Sequence, residues 1–279
     1  MSRALSVVLA FVLGIAACGD DAETVVSPFP EGAFAFSASS SLGVGEERLL
    51  VAIADESGAR LASPEVPVTI AVWAEGQEDT PQVEGGIFIW ALEGVSGLYR
   101  ASFEFGLPGT WLVQVTPSGS EPMEAFPVTV YADHPVPAVG EAAPLSVTPT
   151  GAEFPLNEIS TDPDPDPRFY DSSVAEAVTS GRPSVIVFAT PAFCQTAVCG
   201  PTLDIVKSVA DEHPDANFVH VEVYTNLDDA SNLQLAPAVL EWGLPTEPWV
   251  FVVDAGGIVK ARFEGVVTPE EISAALGRS

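Results

Sequence analysis

Eight prolines fall between residues 133 and 168, namely Pro135, Pro137, Pro144, Pro149, Pro155, Pro163, Pro165 and Pro167, and they divide the chain into two unlike halves. A proline ring fixes φ and removes a backbone donor, so no helix runs through most of this stretch. Before it, short apolar runs alternate with turn formers. After it, apolar runs alternate with helix-length amphipathic segments. A chain of 279 residues, 47% of them hydrophobic, has apolar surface for two ordinary cores. The punctuation predicts two domains, 33–132 and 169–279, joined by a Pro-rich linker at 133–168.

In 33–132, Phe34 and Phe36 alternate with small residues, and the runs Leu49–Ile53, Val66–Trp73, Ile87–Leu92, Leu98–Phe105, Trp111–Val115 and Phe126–Tyr131 follow. Glu56-Ser57-Gly58, Val95-Ser96-Gly97, Pro108-Gly109 and Pro117-Ser118-Gly119 separate them as turns. About seven short strands with regular turns predict an all-β sandwich. It contains no cysteine, so Trp73, Trp90 and Trp111 are expected to help pack it. Gly97-Leu98-Tyr99 followed by Pro108-Gly109-Thr110-Trp111 resembles immunoglobulin-like modules of bacterial envelope proteins, some of them associated with metal handling. The resemblance implies an immunoglobulin-like sandwich. The stretch offers only His134 at its end and Met123 as a soft donor, too few ligands for copper chemistry by this domain alone.

After Arg168 the rhythm is α/β. Ser173 with Glu176 has the spacing of a capping box and opens a short helix to about Ser180. Val185–Phe188 is a continuous apolar strand, Pro201–Glu212 an amphipathic helix, Phe218–Tyr224 a strand and Pro237–Trp242 a short helix. Trp249–Val253 and Ile258–Phe263 form a hairpin turning at Ala255-Gly256-Gly257, and Pro269–Leu276 closes the domain. This order resembles thioredoxin-like proteins, which implies an α/β domain whose mixed sheet carries helices on both faces.

The family resemblance assigns a site. Thioredoxin-like proteins carry their active cysteine after the first central strand, at a helix N-terminus where free N–H groups and the helix dipole favour thiolate. Here Val185–Phe188 runs through Ala189-Thr190-Pro191-Ala192-Phe193 to Cys194, and Cys199-Gly200-Pro201 leads into the helix. The family also places a cis-proline before the facing strand, where it leaves a backbone edge for substrate. Pro245 and Pro248 compete for that role. The strand beginning at Trp249 favours Pro248, with Glu247 beside it as a substrate-binding position.

The chain departs from the family in its spacing. Four residues, Gln195-Thr196-Ala197-Val198, separate the thiols, where common thioredoxins have two. Residues five apart on a regular helix lie about 8–9 Å apart, beyond disulfide reach. With Gly200 and Pro201 read as N-cap and N1, Gln195–Val198 becomes an irregular turn and a bridge is possible. Cys194 is the expected nucleophile, with Cys199 at the helix terminus as the alternative.

Three readings of the pair stand side by side: a redox-active dithiol exchanging with protein thiols, a structural staple in a non-enzymatic binding or assembly protein, and a copper metallochaperone. Extracytoplasmic copper chaperones of this fold use a late histidine as third ligand. Here the last histidine is His220, in mid-strand, after His213 at a helix end, and both read as ordinary buried or surface histidines. Ala189–Cys194 also loosely resembles the Thr-Pro and Cys of peroxiredoxins, with different spacing and no arginine placed for peroxide. Asp162, Asp164 and Asp166 alternate with prolines that spread them along an extended rod, and no glycine lets the loop wrap calcium. No metal ligand and no cofactor is assigned.

The N-terminus supplies the compartment. Arg3 precedes an uncharged, mostly apolar run, Ala4–Ala17, shorter than the roughly 20 residues of a spanning helix. Ile15-Ala16-Ala17-Cys18 resembles the bacterial lipobox. That implies a signal peptide at 1–17, acylation of Cys18, a tether at 18–32, and an extracytoplasmic protein held to a membrane of the bacterial envelope by its lipid. The formal charge of −29, spread over both halves, repels nucleic acid and anionic lipid and leaves that anchor as the membrane contact.

Overall fold

The computed structural model describes residues 27–277. Cys18 and the leader 1–17 lie outside them. Among the described residues no helix is long and apolar enough to cross a membrane.

The first domain is all-β, with eight strands: β1 (Phe34–Ser37), β2 (Leu42–Gly43), β3 (Gly45–Ala54), β4 (Val68–Ala74), β5 (Gln82–Leu92), β6 (Ser96–Phe105), β7 (Gly109–Pro117) and β8 (Phe126–Tyr131). Their order is β1-β3-β6-β5-β4-β7-β8-β2. Strand β5 belongs to two layers: Gln82–Gly86 pairs with β4 and Ile87–Leu92 with β6. The expectation began this strand at Ile87, where the apolar run starts, and the observed strand begins five residues earlier, at Gln82. Gly85 and Gly86 mark where the strand passes from one layer to the other. Leu49, Val51 and Ile53 of β3 meet Ile70, Val113 and Phe103 in one apolar core between the layers, which makes the fold a sandwich. Trp111 is buried edge-on against Phe105, with ring centroids 4.9 Å apart. Trp73 and Trp90 are only half-buried.

The second domain is α/β. Its strands β9 (Ser184–Ala189), β10 (Asn217–Glu222), β13 (Trp249–Val253) and β14 (Val259–Glu264) lie in the order β10-β9-β13-β14. The β9–β10 pair is parallel and the other two pairs are antiparallel, so the sheet is mixed. Helices α2 (Val174–Thr179) and α4 (Pro237–Glu241) cover one face, where Val178 and Val239 pack on Ile186, Phe188 and Phe251. Helices α3 (Cys199–Glu212) and α5 (Pro269–Leu276) cover the other, where Leu203, Val206 and Ile272 pack on Val187, Val250 and Val252. With both faces covered, β9 and β13 are buried along their whole lengths, which is why they read as unbroken apolar runs. The capping box of Ser173 and Glu176 is present, and Thr268 and Glu271 form a second one on α5. The strand expected over Phe218–Tyr224 divides. After Glu222 the chain leaves the sheet, and β11 (Tyr224–Thr225) pairs with β12 (Gln234–Leu235) as a separate ribbon.

Residues 133–168, expected as a linker, lie against this second domain. Val136 and Ala143 enter its core. Gly140 N–H donates to Val259 O and Ala143 N–H to Gly257 O, both at 2.9 Å, so the segment lines the edge of β14. Buried Ser146 accepts from Trp242 Nε1–H at 3.2 Å. Gly243, at φ 63°, brings its Cα so close to the Pro135 carbonyl that a Cβ there would overlap it. The short helix α1 (Leu156–Ile159) and the half-buried Asp162, paired with Lys207, complete the attachment. Proline limits α-helical structure here to that one short helix, but it leaves burial and carbonyl acceptors intact.

The two domains touch along β3, whose second face is also buried. Leu50 joins Ile89 and Leu98 around Val266 of the second domain. Arg48 reaches across to Glu271 with two bonds, at 2.7 and 3.0 Å, and to the Val266 carbonyl at 2.8 Å. Nearby, Glu47 accepts from Arg262 and pairs with His134, whose Nε2 is 2.8 Å from its Oε1.

Candidate functional site

Strand β9 delivers the chain to the site at its C-terminal end. Thr190 to Phe193 turn there, fixed by Phe193 N–H donating to Thr190 O at 3.2 Å and Ala192 N–H to Thr161 Oγ1 at 3.1 Å. Cys194 follows, then an irregular turn over Gln195–Val198 in which Ala197 takes φ 61°. Cys194 and Cys199 form a disulfide with their Cα atoms 6.0 Å apart, within the usual span.

Helix α3 starts at Cys199, two residues before the expected Pro201, and its N-cap is Val198 instead of Gly200. Proline tolerates this because the first N–H groups of a helix have no intrahelical partner to lose. Val198 offers no capping side chain. One of the free donors, Cys199 N–H, instead points at Cys194 Sγ, 3.3 Å away, and Thr196 Oγ1 lies 3.3 Å from the same sulfur. Negative charge forming on Cys194 would be stabilised by both and by the helix terminus. Cys199 is fully buried in the core, whereas Cys194 is partly exposed.

The chain before β13 forms the facing wall. Glu247–Pro248 is the cis peptide bond among the described residues, so Pro248 and not Pro245 holds that place. Thr246 accepts from Trp249 Nε1–H at 3.2 Å and donates to Glu264 at 2.8 Å, and Glu264 accepts from Ser40 N–H of the sandwich at 2.8 Å. These bonds fix the loop that carries Glu247. A carboxylate oxygen of Glu247 and the two sulfurs all lie within 4.8 Å of one another. Burial pushes the Glu247 carboxyl above its ordinary range. Cys194, Cys199 and Glu247, all expected at one site, therefore meet in one place, and Pro248 adjoins Glu247 in the chain.

The sequence reading missed the third wall. A groove of about 190 Å³ beside the disulfide is lined by Thr196, Val198 and Glu247 on one side and by Phe36, Leu50 and Leu98 of the sandwich on the other. One signal was present: Leu49–Ile53 is apolar without alternation, as a strand covered on both faces must be.

Beneath the site lies a buried polar chain. His220 Nε2 is 3.0 Å from Ala189 O, and its Nδ1 is 2.7 Å from Tyr170 Oη, itself 2.8 Å from Ser160 Oγ. A carbonyl can only accept, so Nε2 carries the proton and the unprotonated Nδ1 of the neutral ring faces the Tyr170 hydroxyl. Burial lowers the His220 pKa to about 4. Both ring nitrogens are engaged, so His220 is no metal ligand, and His213 pairs with Ser273 at 3.1 Å. Glu222 accepts from Thr161 N–H at 2.7 Å and from its hydroxyl at 2.9 Å, and burial pushes its carboxyl upward.

The two buried groups act on stability with opposite signs. Between about pH 6.5 and 4 the unfolded chain protonates His220 and the folded chain does not, so its contribution is lost as pH falls, up to about 3 kcal/mol. Glu222 holds its proton longer when folded, so its contribution is lost as pH rises through its raised pKa. Urea unfolding at several pH values should therefore show a shallower acid-side loss for His220→Gln than for wild type. Equal slopes would refute the neutral, buried assignment.

No protein-family model matches the chain, and no curated protein matches it. Solved structures are similar to parts of it. The Lin-41 filamin domain is 11% identical, over 37% of this chain and 94% of that one, at a TM-score of 0.23. The PKD domain of the human VPS10 domain-containing receptor SorCS2 is 15% identical, over 46% of this chain and 96% of that one, at 0.22. A putative glycoside hydrolase from Bacteroides vulgatus is 11% identical, over 38% of this chain and 22% of that one, at 0.21. The all-β character of residues 34–131 rests on the strands described above.

Proposed function

We propose that the α/β domain is a thioredoxin-like module exchanging disulfides with protein thiols outside the cytoplasm, that the sandwich beside it is immunoglobulin-like, and that acylated Cys18 holds both to a membrane of the bacterial envelope. The order of strands and helices, the cysteine pair between β9 and α3, and Pro248 at the facing strand support the fold reading. One observation carries the functional reading. Of the two sulfurs, the partly exposed one, on Cys194, is the one that a backbone N–H and a hydroxyl attend, and its partner is fully buried.

In the reducing direction the Cys194 thiolate attacks a sulfur of the substrate disulfide. An S–S bond forms between them and the other substrate sulfur leaves as thiolate. Cys199 then loses its proton and attacks Cys194 Sγ, which restores the Cys194–Cys199 bond and releases the second substrate thiolate. Two electrons pass to the substrate. The oxidising direction is the same path reversed.

Alkylation-trapped samples of the Cys199→Ala chain should contain partner proteins joined through Cys194, and Cys194→Ala samples should not. The opposite pattern would exchange the two roles. No adduct from either variant, with a bridge that resists dithiothreitol in the folded chain, would leave the pair as a staple in a binding protein.

A further inference from the structure

We propose that reduction converts the Cys194–Cys199 pair, with Glu247, into a binding site for a divalent cation of the zinc class. The three ligand atoms lie within 4.8 Å of one another. Zinc takes sulfur at about 2.3 Å and carboxylate oxygen at about 2.0–2.2 Å in tetrahedral array, which puts neighbouring ligand atoms roughly 3.3–3.8 Å apart. Small side-chain movements reach that spacing, because the Cα atoms of the two cysteines are only 6.0 Å apart. The irregular turn over 195–198 makes this geometry available. On a continuous helix the same two residues would stand about 8–9 Å apart.

Glu247 supplies the independent observation. Its side chain is half-buried, and among the described residues it makes no hydrogen bond and no ion pair. A carboxylate held beside two sulfurs without a cation is relieved by acquiring one. The ligand the copper reading sought was a histidine; the group beside the two sulfurs is a carboxylate. Two thiolates and a carboxylate favour a borderline-soft cation over calcium or magnesium, which prefer oxygen alone. Three protein ligands leave a fourth position open. The positive end of α3 does not oppose binding, since three anionic ligands leave the loaded site at about −1.

The site exists in one redox state only. In the disulfide neither sulfur is an anion. A dithiol or phosphine reductant supplies two electrons, two protons complete the thiols, and the cation then displaces both protons to solvent as it binds. The inference rests on the pair being reducible, and not on its exchange with a protein.

The experiment uses the full chain, oxidised or reduced with a phosphine and with its thiols counted, titrated with zinc by equilibrium dialysis and with cadmium by its thiolate charge-transfer absorbance. The reduced chain should take one ion more per chain than the oxidised chain, and only the reduced chain should show the cadmium band. Cys194→Ser, which keeps Cys18, should lose that ion. Glu247→Gln should weaken it at least about tenfold, since even an outer hydrogen-bond partner of a metal ligand is worth about 10–100-fold. Equal affinity for Glu247→Gln and wild type, or no extra ion after reduction, overturns the proposal and leaves the exchange reading standing. A pair that resists the phosphine in the folded chain overturns both.

Discussion

Arg48→Met is expected to lower the stability of the protein by about 3 kcal/mol, because it removes the closer of two guanidinium partners and leaves the Glu271 carboxylate with Arg100, 3.4 Å away, and Thr268 N–H. Arg48 and Glu271 are each nearly buried, and their two bonds cross from the sandwich to the second domain. Burial pulls the Arg48 guanidinium below its usual pKa, and the Glu271 carboxylate beside it opposes that pull, so the pair is held by its charge-assisted bonds against the cost of desolvation. Removing one partner is costly even where the intact pair contributes little. The double variant Arg48→Met, Glu271→Gln should recover at least half of the loss. Glutamine at that position keeps the capping box of α5 and buries no charge. Urea midpoints for the four proteins of this cycle give the coupling directly. A single variant within about 1 kcal/mol of wild type would mean that Arg100 and solvent compensate Glu271 once Arg48 is gone, and would overturn the prediction.

Trp242→Ala should cost about 3–5 kcal/mol as well, and should do so by releasing residues 135–150 from the second domain. Trp242 is fully buried, with ring centroids 4.6 Å from Phe251 and 5.2 Å from Phe188, and its Nε1–H donates to Ser146 at 3.2 Å. Removing the indole leaves a cavity on the sheet and takes one of three bonds from Ser146, which keeps those to Glu241 and to Ala175 N–H. Trp242→Phe keeps most of the ring contact and should lose far less. Limited proteolysis separates this from a general loss of stability. In wild type the segment should resist cleavage, and in Trp242→Ala it should be the first region cut. Rapid cleavage of the wild-type segment would return it to the status of a linker.

Much of the architecture was legible because local pattern records whether a residue is buried. Alternation in β4, β7 and β8, unbroken apolar runs in β9 and β13, and the capping box at Ser173 each fixed an element to within a residue or two. The misplaced boundaries share a cause. Helix α3 begins at Cys199 and not Pro201 because the Cys199 side chain is taken into the core, and β5 runs through Glu84-Gly85-Gly86 because β4 lies beside it. Propensity places a glycine or proline at an element's end, and tertiary partners move that end.

The sequence by itself determined which residue types lie where along the chain: strands before residue 132, mixed elements after 168, two cysteines at the entry to a helix, and a proline before the facing strand. Tertiary structure decided what each of these meets. It packed the proline-rich segment onto β14, turned the second face of β3 toward Val266, and set the sandwich residues Phe36 and Leu98 beside the disulfide. It also brought Glu247 to the two sulfurs across more than forty residues of chain. The physical reason is that periodicity encodes burial through hydrophobic area, which is non-directional. The identity of a partner depends on long-range packing and desolvated charge, to which residues far apart in sequence contribute jointly and of which no local window carries a trace.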